Sequence, residues 1–234
     1  MIDPVTEIRR ESDVVARLAT DAPPDAPVPS CPAWALRDLV VHLGAVQRFW
    51  AANIAAADPS SPDESSGDPD DAAYPRPPDA ELAAWMRAST DALVDAIDAA
   101  DADAPCWTWW GAPATAGAVA RHQVQEAAVH RWDAEAAAGD VTPLAADAAS
   151  DAIDEFLAVS LGDALDGLEG SVTISASDTG AHWTVGRAGG PVADLVGTAS
   201  DVLLTLYRRV DHDSLTIEGD PELAAMFLGL ASTE

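Results

Sequence analysis

Glu126 and His130 form the first candidate pair for chemistry, in the segment AVARHQVQEAAVHRWDAEAAA. They lie four residues apart, so a helix would place both side chains on one face. A carboxylate oxygen and an imidazole nitrogen are both normal zinc ligands. A single pair of this kind is also a common solvent-facing contact, and it therefore indicates a metal site only with a third ligand nearby.

His42 is the candidate third ligand. It follows the apolar residues of LRDLVVHLGAV, so it could equally be a core histidine held by one hydrogen bond. However, helical bundles assemble metal sites by turning a histidine on one helix toward a Glu/His pair on another. Three protein ligands leave one coordination position open, as a catalytic zinc requires. We therefore predict a metal site at His42, Glu126 and His130.

Two aspartates and two cysteines lie near these residues in the sequence. Asp38 precedes His42 by about one turn, and Asp133 follows the Glu/His pair. Either could orient a ligating imidazole, or be a surface charge or, for Asp38, a first-turn residue favoured by the helix dipole. Cys31 is about 16 Å from His42 if both lie on one straight helix, too far to share an ion. We interpret Cys31 as structural or as a mildly activated thiol, and Cys106 as a core residue.

Other sequence templates for catalysis are absent. The chain has no His-Glu-x-x-His, P-loop or Cys-x-x-Cys motif, and Ser160 and Ser171 lie in no nucleophile elbow. The glycines of GRAGG lack the spacing of a dinucleotide-binding turn. The three predicted ligands are thus the strongest chemical signal.

The composition narrows the classes of partner. The 234 residues include 40 acidic and 12 basic side chains, all of the latter Arg, for a formal net charge of −28. Such a charge opposes binding to nucleic acid or to anionic lipid. An anionic substrate would need Arg or a metal to reverse the local field. Without a secretory signal, a membrane span or a cysteine framework, a cytoplasmic protein is expected.

Amphipathic spacing and Pro or Gly punctuation predict helices over most of the first 160 residues. Residues 58–79 interrupt them with six Pro and seven acidic residues against one Arg. We interpret this acidic, Pro-rich loop as a solvated linker rather than a metal-binding tract. The predicted helices cover residues 5–20, 34–57, 80–100, 116–138 and 145–160.

The pattern changes after about residue 162. SVTISAS and AHWTVGR alternate polar and apolar residues around an SDTG turn, which predicts a hairpin. PVADLVG is a further candidate strand, LTIEG a short one, and SDVLLTLYRRV is helical. Pro221 after Asp220 indicates the start of a final helix. We therefore expect an α+β protein overall, with a helical domain at 1–160 and a small α+β domain at 161–234.

Two motifs resemble the mycothiol-dependent maleylpyruvate isomerase family. SCPAWALRDLVVHLG is similar to its Cys-Pro-Gly-Trp…Arg-Asp-Leu-Val-x-His-Leu segment, and RHQVQEAAVHRWDAEAAAG to its Glu-x-x-Val-His-Arg-Trp-Asp-Ala-Glu segment. ISASDTGAHWTV, GTASDVLLTLYRR and LTIEGDPELAAMFL resemble its second domain. The resemblance implies a DinB-type four-helix bundle followed by a small sterol-carrier-like α+β domain. Ala33 and Ala35 depart from the family pattern, and Ala35 removes a helix cap worth about 1 kcal/mol.

The resemblance also implies a function. The family's metal ligands fall on His42, Glu126 and His130, holding zinc or another divalent metal. An active-site Arg of the second domain falls on Arg209, with Arg208 a close rival. In the family's chemistry, a metal-bound mycothiol thiolate adds to a small electrophile. In the isomerase, rotation about the resulting single bond and elimination then give the trans product, and Arg209 would hold a substrate carboxylate.

Three functions remain open at this point. The chain could be such an isomerase, a thiol S-transferase, or a non-catalytic protein that binds a metal or an apolar ligand. The expected partners are a small electrophile and a low-molecular-weight thiol, with no nucleic acid or membrane, on a monomer or weak dimer. Eight Trp residues are present. Four are interpreted as core (Trp34, Trp50, Trp85, Trp132), and three either floor a pocket or pack under a turn (Trp107, Trp109, Trp110).

Overall fold

The computed structural model describes residues 2–69, 71 and 74–231, so residues 70, 72 and 73 of the predicted acidic loop lie outside it. The chain divides into two compact units, Met1–Thr142 and Pro143–Glu234. The first is helical and the second is α+β, which confirms the predicted fold class. The division falls before the expected one after residue 160, because the intervening helix packs on a helix of the second unit.

The first unit is a four-helix bundle. Helices α1 and α2 each pack against both α3 and α4, so α1 and α2 lie diagonally across the bundle. The observed bounds agree with the sequence pattern to within a few residues. These helices are α1 Pro4–Asp21, α2 Leu36–Ala56, α3 Leu82–Ala99 and α4 Ala116–Ala138.

Local signals fix the ends of these helices. Asp3 caps α1 and Thr115 caps α4, each accepting the backbone N–H of the residue three positions further on (3.3 and 3.2 Å). Gly139 ends α4 in the left-handed conformation, with φ of 85°. The cap of α2 is Ala35, whose N–H donates to the Asp38 carboxylate at 2.8 Å. The Asp38 half of a capping box is therefore present, although Ala35 has no hydroxyl to supply the other half.

The bundle core brings α2 and α3 into close contact at Gly44. A Cβ at this position would lie 2.1 Å from the Trp85 ring, so only glycine admits the ring there. The surrounding core is fully buried, for example at Leu39, Leu43 and Met86. Because Gly44 follows His42 by two residues, this contact fixes α2 close to the predicted ligand.

The loops that precede α2 and α4 are closed in the same way. An antiparallel backbone bridge joins Pro27 to Ala35 ahead of α2, and another joins Pro105 to Thr115 ahead of α4. In both, the backbone N–H of the first helical residue also donates a hydrogen bond to a carbonyl at the start of the same loop, at 2.8 and 2.9 Å. The two helices that carry the predicted ligands thus begin from closed, hydrogen-bonded turns.

The acidic loop is fastened to the bundle, which corrects its interpretation as a plain solvated linker. The backbone N–H of Asp63 donates to the Asn53 side chain at 2.8 Å, and the Asn53 amide donates back to the Asp63 carbonyl at 3.4 Å. Further along, Arg76 pairs with Asp38 on α2. Sequence composition indicates solvation but not such tertiary contacts.

The second unit is built on a four-stranded sheet of order β2-β1-β3-β4. The predicted hairpin is present, with β1 and β2 antiparallel; β3 runs parallel to β1, and β4 is antiparallel to β3. All four predicted strand segments are therefore confirmed. The strands are β1 Ser171–Ala176, β2 His182–Gly186, β3 Val192–Gly197 and β4 Thr216–Gly219.

Three helices accompany the sheet. Helices α6 (Ala199–Leu206) and α7 (Pro221–Leu230) pack on β1 and β3, and α5 (Ala146–Phe156) packs on α6. Asp220 caps α7 as predicted. Helix α6 ends before the predicted residue 210, because Arg208 takes a left-handed backbone with φ of 56°. In the described part of the chain, every helix is too short or too polar to cross a membrane.

Candidate metal centre and adjoining cavity

The three predicted ligands meet at one point of the bundle. His42 extends from α2, and Glu126 and His130 extend from adjacent turns of α4. The Oε1 atom of Glu126 lies 3.6 Å from His42 Nε2 and 3.2 Å from His130 Nε2. One ligand atom from each side chain lies within 4.8 Å of the others. The structure thus brings together residues that are 84 positions apart in the sequence.

This donor set fits a divalent metal such as zinc. Two imidazole nitrogens and one carboxylate oxygen are a known set for catalytic zinc, with the fourth position left open. Bonds of about 2.0–2.1 Å in a tetrahedron place neighbouring donors about 3.3 Å apart. The two separations from Glu126 lie on either side of that value, and all three donor atoms lie within 4.8 Å of one another, so the side chains could close on a metal.

The three side chains are coupled by charge. Burial alone would raise the pKa of Glu126, but His130 and His42 outweigh it and hold that pKa well below its ordinary value. Burial alone would lower the pKa of His130, but the carboxylates of Glu126 and Asp133 raise it to about 9. Without a metal, the pair is therefore a carboxylate beside an imidazolium near neutral pH.

His130 is oriented by a second carboxylate. Its Nδ1–H donates to Asp133 Oδ2 at 2.9 Å, which leaves Nε2 directed at Glu126. Asp133 is completely buried, and its Oδ1 accepts a hydrogen bond from the Ser30 hydroxyl at 2.5 Å. The orienting role considered for Asp133 is thus supported by geometry. Ser30 was missed, because it lies in the loop before α2, far from α4 in the sequence.

The ring of Trp34 packs against the imidazole of His42. The Trp34 ring centroid lies 4.7 Å from that of His42, and the His42 and His130 rings lie 5.2 Å apart. Trp34, interpreted from sequence as a core residue, is therefore also part of the site. The contacts of Asp38 with Ala35 and Arg76 are those of a first-turn capping residue.

A cavity of about 480 Å³ opens beside the three predicted ligands, and we call it the bundle cavity. His42 and Glu126 line it on one side, and the acidic loop closes another side. Its remaining wall is aromatic. The aromatic lining residues are Phe49, Trp50, Trp107 and Trp109, and the loop residues are Pro62, Glu64, Gly67, Asp68 and Pro69.

The Trp-rich turn contributes to this wall. Trp50 is buried, and its ring stacks on Trp107 with centroids 6.0 Å apart. Trp109 is 53% exposed, although it lines the cavity. Trp110 packs at 5.7 Å from Trp50. Trp107 and Trp109 therefore line a pocket, which is one of the two interpretations given for this turn.

His122 is a cavity residue that the sequence analysis missed. It lies one turn before Glu126 on α4, and its ring is 4.9 Å from that of Trp110. The Gln125 side-chain amide lies 3.0 Å from its Nδ1. The signal was present in the sequence, since His122, Glu126 and His130 repeat every four residues and so share one helical face.

The predicted Arg209 lies in a second cavity of about 710 Å³, the C-terminal cavity. Arg208 lines it too, and its guanidinium donates to the carbonyls of Ala231 and Gly229 (3.1 and 3.2 Å). Arg209 donates to the Tyr207 carbonyl at 2.9 Å and lies 5.8 Å from the centre of that ring. Arg208 is thus bonded to the end of α7, whereas Arg209 is bonded within its own turn.

The two cysteines form no disulfide. Cys106 is buried, as predicted, and burial raises the pKa of its thiol to about 11. Cys31 is half-buried and packs against the bundle core. Its backbone carbonyl accepts the N–H of Trp34 at 2.8 Å. Burial thus confirms Cys106 as a core residue, and the packing of Cys31 supports its structural interpretation.

Comparison with known proteins gives one family match. The model of the mycothiol maleylpyruvate isomerase N-terminal domain matches residues 5–135. This range covers α1 to α3 and most of α4, including the three predicted ligands and the bundle cavity. No curated protein sequence matches the chain significantly.

Two crystal structures are similar over nearly the whole chain. One is of the mycothiol-dependent maleylpyruvate isomerase with a histidine replaced by alanine (TM-score 0.65, 11% identity). The other is of the mycothiol-dependent maleylpyruvate isomerase itself (TM-score 0.64, 10% identity). Each match covers 92% of this chain and 91% of the other. At this identity the likeness concerns the fold, and it extends through both units.

Proposed function

The chain belongs to the mycothiol maleylpyruvate isomerase family, and we propose on this basis that it is a divalent-metal enzyme that activates mycothiol for reaction with a small electrophile. The family match covers more than half of the residues. The observation that carries the proposal is the convergence of His42, Glu126 and His130 within 4.8 Å. Zinc is the proposed metal because the donor set is two imidazoles and one carboxylate.

The roles of the side chains follow from their contacts. A bound zinc ion would lower the pKa of a coordinating thiol, so that thiolate is available near neutral pH. His42, Glu126 and His130 would hold the ion, and Asp133 keeps the Nε2 atom of His130 in position. Ser30 in turn holds Asp133.

The bundle cavity is the proposed place for the electrophile. His42 and Glu126 belong to the proposed ligand set and also line this cavity, so a molecule in the cavity would lie beside two of the three proposed ligands. The aromatic wall would exclude water from the reacting carbon. We propose that it holds this carbon close to the thiol sulfur, which raises the effective concentration of the two reactants.

Two reactions are compatible with this arrangement. An isomerase acting on a dicarboxylate needs a cation for the substrate, and Arg209 is the proposed residue. An S-transferase acting on a small electrophile needs no such cation. The second reaction is favoured by one observation, since the described residues that line the bundle cavity include no Arg.

The first test is metal content together with thiol consumption. We expect the purified protein to hold about one zinc per chain, and His42→Ala to lose it. His182→Ala is the matched control, because His182 is an exposed histidine on β2 and belongs to neither group of side chains that could hold a metal in the described part of the chain. A wild-type protein without stoichiometric zinc, and a His42→Ala variant with unchanged metal content, would contradict the proposal.

Substrate panels then separate the reactions. Maleylpyruvate with mycothiol should show a spectral change only for an isomerase. Consumption of mycothiol by a panel of electrophiles would identify an S-transferase. If neither occurs and an apolar ligand raises the melting temperature, the chain is a binding protein and the proposed activity is wrong.

A further inference from the structure

The bundle cavity has an unusual combination of walls for an enzyme that is expected to bind a dicarboxylate. Four aromatic side chains line it, and two of them, Trp107 and Trp109, come from the turn before α4. Such rings present flat, apolar faces with negative electrostatic potential at their centres. A planar or ring-shaped group fits these faces, and the volume of about 480 Å³ is within the range for small ligands.

Three of the described side chains that line the cavity are carboxylates. Glu64 and Asp68 line it from the acidic loop, and both residues are exposed. Glu126 lines it from α4, and the only basic groups among its described lining residues are the imidazoles of His42 and His122. With a formal net charge of −28, the rest of the chain adds to the negative potential.

These observations favour one class of substrate. We propose that the bundle cavity selects an uncharged or cationic electrophile with a planar or aromatic group, and disfavours a dicarboxylate. The inference rests on the proposed function, since it names the substrate class of that site. In this view the acidic loop is a specificity element.

The expected size of the effect follows from simple electrostatics. A carboxylate about 4 Å from a unit charge in a water-like dielectric changes affinity about fivefold. A cation over a Trp face at an exposed site gains about two- to fivefold. Two loop carboxylates and the aromatic wall together should therefore separate a cation from an anion of the same shape by more than about tenfold at low salt.

Binding of shape-matched probes to the full chain tests the inference. The probes are benzyltrimethylammonium, benzyl alcohol and phenylacetate, and the readout is quenching of tryptophan fluorescence with and without one equivalent of zinc. We expect the cation to bind more than about tenfold tighter than phenylacetate without zinc, and by a smaller factor with zinc, because the charge of the ion attracts the carboxylate. High salt should reduce the difference, because these carboxylates are exposed.

Loop variants identify the source of the selectivity. Glu64→Gln with Asp68→Asn should bring the cation and anion affinities to within about threefold. Asp95→Asn with Asp98→Asn is the matched control, because it removes the same charge from exposed positions of α3 and should leave the ratio unchanged. Trp109→Leu should weaken all three probes together.

Clear outcomes would overturn the inference. Tighter binding of phenylacetate, an equal effect of the two double variants, or no binding of any probe would each do so. None of these results depends on turnover, so they are distinguishable from a failure of the proposed function. Conversely, loss of thiol consumption with intact probe selectivity would contradict the proposed function and support the cavity's specificity.

Discussion

The bundle cavity and the C-terminal cavity differ in the charge that they offer to a ligand. The first combines aromatic rings and carboxylates with two of the three predicted metal ligands, His42 and Glu126. The second is lined by Arg208 and Arg209, with Asp211 and apolar residues of α7. In a chain with 40 acidic and 12 basic side chains, this cavity is unusual because two Arg and one Asp are among its described lining residues. The two cavities therefore offer side chains of opposite charge to a ligand.

The largest expected effect concerns metal binding. Glu126→Gln should reduce zinc affinity by more than about 100-fold, because replacing a ligand costs more than changing a residue behind one. Arg209→Ala should leave zinc affinity unchanged. Competition with a chelating dye measures both, and a loss of zinc in Arg209→Ala would show that Arg209 contributes to metal binding.

Asp133, which accepts a hydrogen bond from His130, should have the next largest effect on zinc affinity. Asp133→Asn keeps the shape but weakens the hydrogen bond to Nδ1, and we expect a 10- to 100-fold loss of zinc affinity. Ser30→Ala should cost less, since it acts through Asp133, and Ser60→Ala on the acidic loop is its control. Unchanged affinity in Asp133→Asn would show that the contact is only structural.

Arg209→Ala tests whether the C-terminal cavity holds a substrate carboxylate. If a substrate carboxylate is held there, KM for a carboxylate electrophile should rise about tenfold or more, as for a lost charged hydrogen bond. KM for an uncharged electrophile should not change. Steady-state kinetics with the two electrophiles decides, and equal effects on both would remove Arg209 from substrate recognition.

Two glycine substitutions compare the stability of the units. Gly44→Ala places a Cβ against Trp85 and should destabilise the bundle by about 1–3 kcal/mol. Gly229→Ala in α7 meets no atom within 4 Å and should stabilise slightly, by about 0.5–1 kcal/mol, because alanine favours a helix. Urea unfolding followed by circular dichroism measures both, and a neutral Gly44→Ala would show that Trp85 moves easily.

The elements, and the meeting of the three predicted ligands, could be predicted from the sequence better than their surroundings. Helical periodicity places Glu126 and His130 on one face, and the apolar run places His42 on a helix, so this meeting is accessible to pattern reasoning. Ser30 is not, because its bond to Asp133 joins positions 103 residues apart. The acidic loop was misread for the same reason, since its contacts with Asn53 and Asp38 are tertiary.

The closed turns ahead of α2 and α4 fix how each of these helices is rotated about its own axis, and so where its predicted metal ligands point. Each residue advances a helix by about 100°, so a deletion between Ala35 and His42 would turn the imidazole away from Glu126. The same holds between Thr115 and Glu126. Changes in length should therefore disrupt the site when they fall in the short stretch between each bridge and its ligand.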